Sequence, residues 1–189
     1  MSSSTPACRT VNVLAFSGDR SPAFAAQFQQ SIDEVRKGRG HGPSLQDCLL
    51  YAGHAGVSTS GHQVIYGFNP ESANTTVWQL LDGLKNGDAF PGVVRDDTAM
   101  FAAAQNHGLT ILSFDILLPE PQFHKFEVQL DSERRYSQYL YGFSNGDGDC
   151  NCITWLERLG LPLLTGRMDE FVAVSGVVSR LGRRFGRCL

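Results

Sequence analysis

The stretch from Val11 to Gly38 carries two hydrophobic periods in quick succession, and this constrains the fold more than any other feature of the chain. "VNVLAF" (11–16) is a nearly unbroken apolar run of strand length. Ser21 then stands as a cap with Pro22 at the first helical position. Phe24, Phe28, Ile32 and Val35 recur at helical spacing until Gly38 ends the run. A strand and an amphipathic helix joined by so short a connection must share a core, which points to mixed sheet and helix layers.

The rest of the sequence continues in this style. "CLLYAGHAGVS" (48–58) and "HQVIYGFN" (62–69) read as two strands of a hairpin turned by "TSG", with Pro70 ending the second. The pattern predicts helices over 75–87 and 96–108, the latter starting at Asp96 or Asp97 and stopping at Gly108. "LTILSFDILL" (109–118) is β-like, and "HKFEVQL" (124–130) alternates with period two as a further strand. A helix is expected over 131–143, capped by Asp131 or Ser132, and another from near Cys152 to just before Pro162. The segment 167–186 fits a strand, a helix or both. There is no internal repeat and no linker composition. The expectation is a short disordered lead-in (1–10) and one α+β domain (11–189), with an antiparallel sheet packed against helices.

Composition narrows the function. Of 189 residues, 42% are apolar and 19% charged, as in ordinary globular proteins, and the net charge of −3 gives no general affinity for nucleic acid or anionic lipid. The basic cluster Arg180, Arg183, Arg184 and Arg187 reads as a solvated face. No run approaches the roughly 20 apolar residues of a membrane span. The N-terminus lacks the basic and apolar regions of a signal peptide, so the expected location is cytoplasmic, or secreted without a cleaved Sec signal. The five scattered cysteines make no disulfide framework, and Cys150 and Cys152 are too close for an unstrained bridge; free thiols are expected.

Chemistry concentrates in "GDGDCNCITWLERLG" (146–160), for which three readings stand side by side. Asn145, Asp147 and Asp149 alternate as in a calcium loop, but the positions that should hold Gly and a bidentate Glu hold Cys150 and Leu156. A zinc site would need a second pair of ligands. Alternatively, Cys152, Leu156 and Leu159 fall on one helical stripe, which makes Cys152 a small core residue. In the third reading Cys152 is a nucleophile at a helix start, where unpaired N–H groups and the helix dipole favour a thiolate and can hold an oxyanion.

A nucleophilic thiol needs a base. His41, His62 and His107 fall in loops, turns or helix ends, and His124 at a strand start. His54 lies mid-strand among Gly53, Ala55 and Gly56, on the face of Leu50 and Ala52, where it is either a buried structural histidine or the base. The hairpin places it across from Tyr66 or Gly67. Asn69, at the end of the second strand, is a candidate to orient the imidazole, with Asp115 competing.

With these residues, the chain resembles the circularly permuted branch of the papain-like (NlpC/P60-like) thiol hydrolases. The resemblance rests on "GHAGVS" followed by a second strand and a distant "NC" opening a helix. That branch includes PPPDE-type peptidases, lecithin:retinol acyltransferase-like proteins and domains of bacterial effectors and toxins. The resemblance implies a strand histidine at His54, a nucleophile at Cys152 and no cofactor. It implies cleavage of an amide or ester in a protein or peptide-like substrate, as peptidase, amidase or deamidase, and an effector-type role with an immunity or chaperone partner. Two departures stand: "NCITW" replaces the acyltransferases' "NCEHF", and Tyr66 stands where they tend to carry a second histidine. The rival expectation is a non-catalytic binding module whose cysteine loop is structural or holds a metal.

Overall fold

The computed structural model describes residues 7–71, 79, 88–142 and 149–161. In chain order the elements are β1 (Cys8–Ser17), α1 (Pro22–Arg36), α2 (Leu45–Ala52), β2 (Gly53–Ser58), β3 (Tyr66–Pro70) and β4 (Phe90–Asp96), then α3 (Thr98–Asn106), β5 (Leu112–Pro119), α4 (Glu120–Arg135), β6 (Leu140–Tyr141), β7 (Asp149–Cys150) and α5 (Cys152–Arg158). The strands form one sheet in the order β5-β1-β2-β3-β4-β6-β7. All neighbours are antiparallel except β6 and β7, which run parallel. The chain is therefore α+β with an antiparallel sheet packed against helices.

Helices cover both faces of the sheet. On one face, Val13, Ala15, Ala55, Val57 and Phe68 pack with Phe123, Phe126 and Leu130 of α4 and Trp155 and Leu156 of α5. On the other, Leu14, Phe16 and Ile65 pack with Phe24 of α1, Leu49 and Leu50 of α2, and Phe101 and Ala104 of α3. Residues 11–16 of β1 are consequently buried on both sides, which is why "VNVLAF" runs almost without polar interruption.

β1 and α1 form as the sequence predicts: Ser21 Oγ accepts from the Phe24 N–H and Pro22 opens the helix. α5 also falls within its expected segment, and β5 starts within its own but runs one residue past it, to Pro119. The hairpin is shorter than expected. Residues 48–52 belong to α2, not to a strand, because Ser44 and Asp47 form a reciprocal capping box that starts the helix ahead of them. Gly53, at φ 93°, then turns the chain directly into β2, and only "GHAGVS" is strand. The second strand begins at Tyr66 rather than His62.

The predicted strand over 124–130 is instead the middle of α4. Its period-two pattern was a coincidence of two helical stripes: Phe123, Phe126 and Leu130 are buried, while Val128 is 57% exposed. The helix expected over 131–143 thus starts at Glu120 and ends at Arg135, and within the rest of that span Leu140–Tyr141 form strand β6 instead. β4 carries no expected strand because Pro91 and Gly92 disguise it. Gly92 is required there, since a Cβ would run into the Phe68 ring and lie 2.7 Å from the Tyr139 carbonyl oxygen. The expected helix over 75–87 (except helical Gln79), the acidic loop at 143–148 and the chain after 161 lie outside the described residues.

The capping box can be tested alone. Ser44→Ala should cost about 1 kcal/mol of stability in urea unfolding. The reactivity of Cys152 should not change, because the cap sits at the far end of α2 from His54.

Candidate active site

His54 is the second residue of β2, placed by the turn at Gly53, and its side chain is 0% exposed. The ring lies between the aromatic rings of Phe16 (centroids 6.4 Å apart) and Phe101 (6.1 Å). Its Nε2 is 2.7 Å from Asp97 Oδ2. A carboxylate oxygen can only accept, so Nε2 carries the proton in this contact.

Asp97 is held from several sides. It lies between β4 and α3, at the cap position of α3, and its N–H donates to the Ile65 carbonyl. Its side chain makes no cap bond. Asp96 supplies that contact instead, accepting from the Thr98 N–H at 2.9 Å and the Thr98 hydroxyl at 2.5 Å. This division of labour leaves the Asp97 carboxylate to the histidine. Asn69 Nδ2 donates to the same Asp97 oxygen at 2.8 Å and to the Gly67 carbonyl at 3.2 Å.

Gly67 makes the arrangement possible. A Cβ there would run into the Asp97 carboxylate and lie 2.5 Å from His54 Nε2. The register pairs Gly56 with Gly67 and Val57 with Tyr66, so neither Tyr66 nor Gly67 lies directly across from His54 as the sequence suggested; Gly67 sits diagonally beside it and, lacking a side chain, leaves room for the carboxylate.

Cys152 is the first residue of α5 and is 1% exposed. Asn151 is the cap: its Oδ1 accepts from the N–H groups of Ile153 (2.9 Å) and Thr154 (3.0 Å), and its own N–H donates to Thr154 Oγ1. The expectation that several backbone N–H groups at this turn hold an oxyanion is therefore narrowed. Those of Ile153 and Thr154 serve the cap, and the N–H of Cys152 is the first-turn donor the cap does not use.

The thiol and the imidazole act on one another. Burial by itself would lower the His54 pKa; the hydrogen bond to Asp97, the neighbouring Cys152 thiol and the charges of both outweigh it and raise the pKa to about 10. With Nε2 committed to Asp97, Nδ1 is the ring nitrogen without a hydrogen-bond partner, and so the one available to the thiol.

Tyr141 borders the same group. Burial, followed by the charges of Cys152, Asp97 and Cys48, holds its phenol well above the usual range, so it stays protonated. Cys48 is buried in α2, and desolvation with the Asp47 charge pushes its thiol up to about 12, an unreactive state.

Of the residues singled out in the sequence, His54, Cys152 and Asn69 come together, but Asn69 does not touch the imidazole. It reaches the ring only through Asp97. Asp115 lies elsewhere, accepting from Asn12 across β1 and β5. His124 is exposed on α4, His62 meets Ser113, and His107 meets Asp19. Asp97 was legible only as a helix cap. The signal for its role is the pair Asp96-Asp97, since one helix needs one cap and the second acid is left over. No disulfide joins Cys8, Cys48, Cys150 and Cys152 to one another, and the described residues contain no group of three metal-ligating side chains. Comparison with protein families, characterised proteins and solved structures finds no match to this chain.

Two predictions follow from this geometry. Gly67→Ala should break the His54–Asp97 contact and cost about 2–4 kcal/mol, because a buried charged pair is left without its hydrogen bond. Loss of stability in urea unfolding, together with loss of Cys152 reactivity, checks this. The second concerns pH. The folded-state pKa of His54 lies above its ordinary value of 6.5, so its contribution to stability is complete below pH 6.5 and is lost as pH rises toward about 10. Stability should therefore fall between pH 6.5 and 9, before the cysteine thiols, with an ordinary value of 9.0, contribute strongly. That slope should flatten in His54→Gln.

Proposed function

We propose that this chain is a cysteine-dependent hydrolase of the permuted papain-like kind, cleaving an amide or ester in a protein or peptide-like substrate. The observation that carries the reading is a buried imidazole bonded through Nε2 to Asp97, with Nδ1 left unpartnered and its pKa raised in part by a buried thiol at a helix start. His54 on an early strand and Cys152 on a late helix agree with the order that the resemblance implies.

The chemistry divides among these residues. Cys152 Sγ attacks the substrate carbonyl, and the developing oxyanion is met by the Cys152 N–H. The tetrahedral intermediate collapses, the C–N or C–O bond breaks, and the His54 imidazolium gives its proton to the departing nitrogen or oxygen. Water then attacks the thioester with His54 as base, the acid leaves, and the thiol is restored. Asp97 fixes the ring's tautomer and balances its charge throughout. Asn69 holds Asp97. No step draws on a cofactor.

A second reading is favoured by one observation: both reacting side chains are buried. In that reading the fold is a binding module and the thiol–imidazole pair is structural. Alkylation distinguishes the two. With iodoacetamide at pH 6.5, Cys152 of a hydrolase should react at least ~10-fold faster than glutathione, an unperturbed thiol being about 1% ionised there. Cys8, Cys48 and Cys150 should remain slow, and His54→Ala should abolish the advantage. Slow labelling of Cys152 in the native protein, at the rate of the other thiols, establishes the binding module.

A further inference from the structure

Cys150 is a buried thiol that the proposed chemistry does not use. It is the second residue of β7, opposite Tyr141 of β6 in the parallel pair, and its carbonyl accepts from the Gly142 N–H at 2.9 Å. It is 1% exposed, as Cys152 is, and both belong to the same core. One residue separates them. Asn151 is extended there, at φ −107° and ψ −178°. Side chains on either side of an extended residue point the same way. The half-buried Asn151 turns its own side chain to the cap of α5, and the two cysteines turn inward together.

Among the described residues the other cysteines are Cys8, exposed on β1, and Cys48, in α2 and outside that core. An extended chain advances about 3.3–3.6 Å per residue, which leaves Cα atoms two residues apart at the upper end of the roughly 4.4–6.8 Å that disulfides span. The two sulfurs can therefore join, but only under strain. Strained bridges have high reduction potentials and are readily reopened by other thiols, which suits a reversible state and not a structural one. A thiol activated for attack on a carbonyl is also open to oxidation by peroxide. Left alone, its sulfenic acid is driven on to sulfinic and sulfonic acids, which do not return. A second thiol at the neighbouring inward position intercepts the sulfenic acid first.

Resting on the hydrolase reading, we infer that Cys150 is the resolving thiol for Cys152, and that hydrogen peroxide switches the site off reversibly through a Cys150–Cys152 disulfide. The Cys152 thiolate attacks one oxygen of the peroxide. The S–O bond forms, the O–O bond breaks, and hydroxide departs as water with the proton of the His54 imidazolium. The Cys150 sulfur then attacks the sulfenic sulfur. The S–S bond forms, the S–O bond breaks, and the hydroxyl leaves as water with the Cys150 proton. Two thiols are oxidised to one disulfide, and one hydrogen peroxide is reduced to two waters. With Cys152 Sγ held by Cys150, no thiolate remains to attack a substrate. Exchange with a free thiol such as glutathione restores it.

The test uses the full chain in its reduced form. Iodoacetamide first gives the rate at Cys152 against that of glutathione. Hydrogen peroxide is then added at neutral pH, the excess is removed, and the remaining thiols are alkylated. Trypsin releases residues 136–158 as a peptide that holds these two cysteines and no third. The expected product is that peptide two hydrogens lighter and unalkylated, with at least about tenfold loss of Cys152 labelling that dithiothreitol restores. In Cys150→Ser the rate before peroxide should match the native one. After peroxide, Cys152 of that variant should gain two or three oxygens, and dithiothreitol should restore about tenfold less labelling than in the native protein. Should Cys150→Ser not fold, the mass of the native peptide still decides. If native Cys152 reacts faster than glutathione with iodoacetamide, but peroxide only adds oxygen to it, links it to another cysteine or leaves it unchanged, the inference falls and the hydrolase reading stands. Full recovery in Cys150→Ser also overturns the inference, because Cys150 then protects nothing. If Cys152 reacts no faster than glutathione with iodoacetamide, the hydrolase reading falls and takes the inference with it.

Discussion

A fully buried imidazole held by one carboxylate is the interaction around which much of the central sheet is arranged. Neither group is stable alone in such a place. An isolated buried charge loses several kcal/mol of hydration, and its partner must restore that loss through good geometry and further hydrogen bonds. The chain supplies both. Asp97 accepts from His54 and from Asn69, Asp96 takes over the helix cap, and Gly67 keeps the space between β3 and β2 clear. Four residues on three segments thus depend on one carboxylate oxygen.

The thiol arrives from a different layer. Cys152 belongs to the core built by α4 and α5, whereas the rings that flank His54, Phe16 and Phe101, belong to the core on the other face. Each of the two residues sits at the end of its element, His54 just after Gly53 and Cys152 just after the Asn151 cap. Ends are where backbone direction changes and where a side chain need not obey the alternation of the strand or the stripe of the helix. The Asn151 cap matters for this reason: by taking the N–H groups of Ile153 and Thr154 it fixes the first turn, and with it the direction of the thiol.

Much of this was legible in the residues, and the limits are physical. β1 and α1 could be read because one run is buried on both faces and the other is amphipathic with a Ser-Pro start. His54 stood out because a polar ring among glycines and alanine has few other uses. The strand misread over 124–130 shows the weakness of short windows: seven residues satisfy period two and period 3.6 equally well, and the burial of Phe123, outside the window, decides. β4 was hidden because Pro91 and Gly92 are poor strand formers on propensity, and tertiary packing against Phe68 overrides this. Asp97 was seen and given the wrong task. A carboxylate before a helix is a cap by default, and only the register of β3 and β4 brings it under the histidine.

The balance between a structural and a chemical role turns on what the core would otherwise contain. A buried ion pair is seldom the most stable solution, and apolar residues of similar volume often do better by 1–4 kcal/mol. Here the ring lies by Phe16 and Phe101, surroundings that would accept a leucine or methionine at position 54 without a supporting network. The chain instead commits an aspartate, an asparagine and a glycine to hold the ring's proton on one nitrogen and leaves the other to the thiol. That asymmetry adds nothing to packing. It is what a proton carrier requires, with one nitrogen anchored and the other kept for exchange, and under the proposed hydrolase reading it gives the stability forgone in the core a chemical purpose.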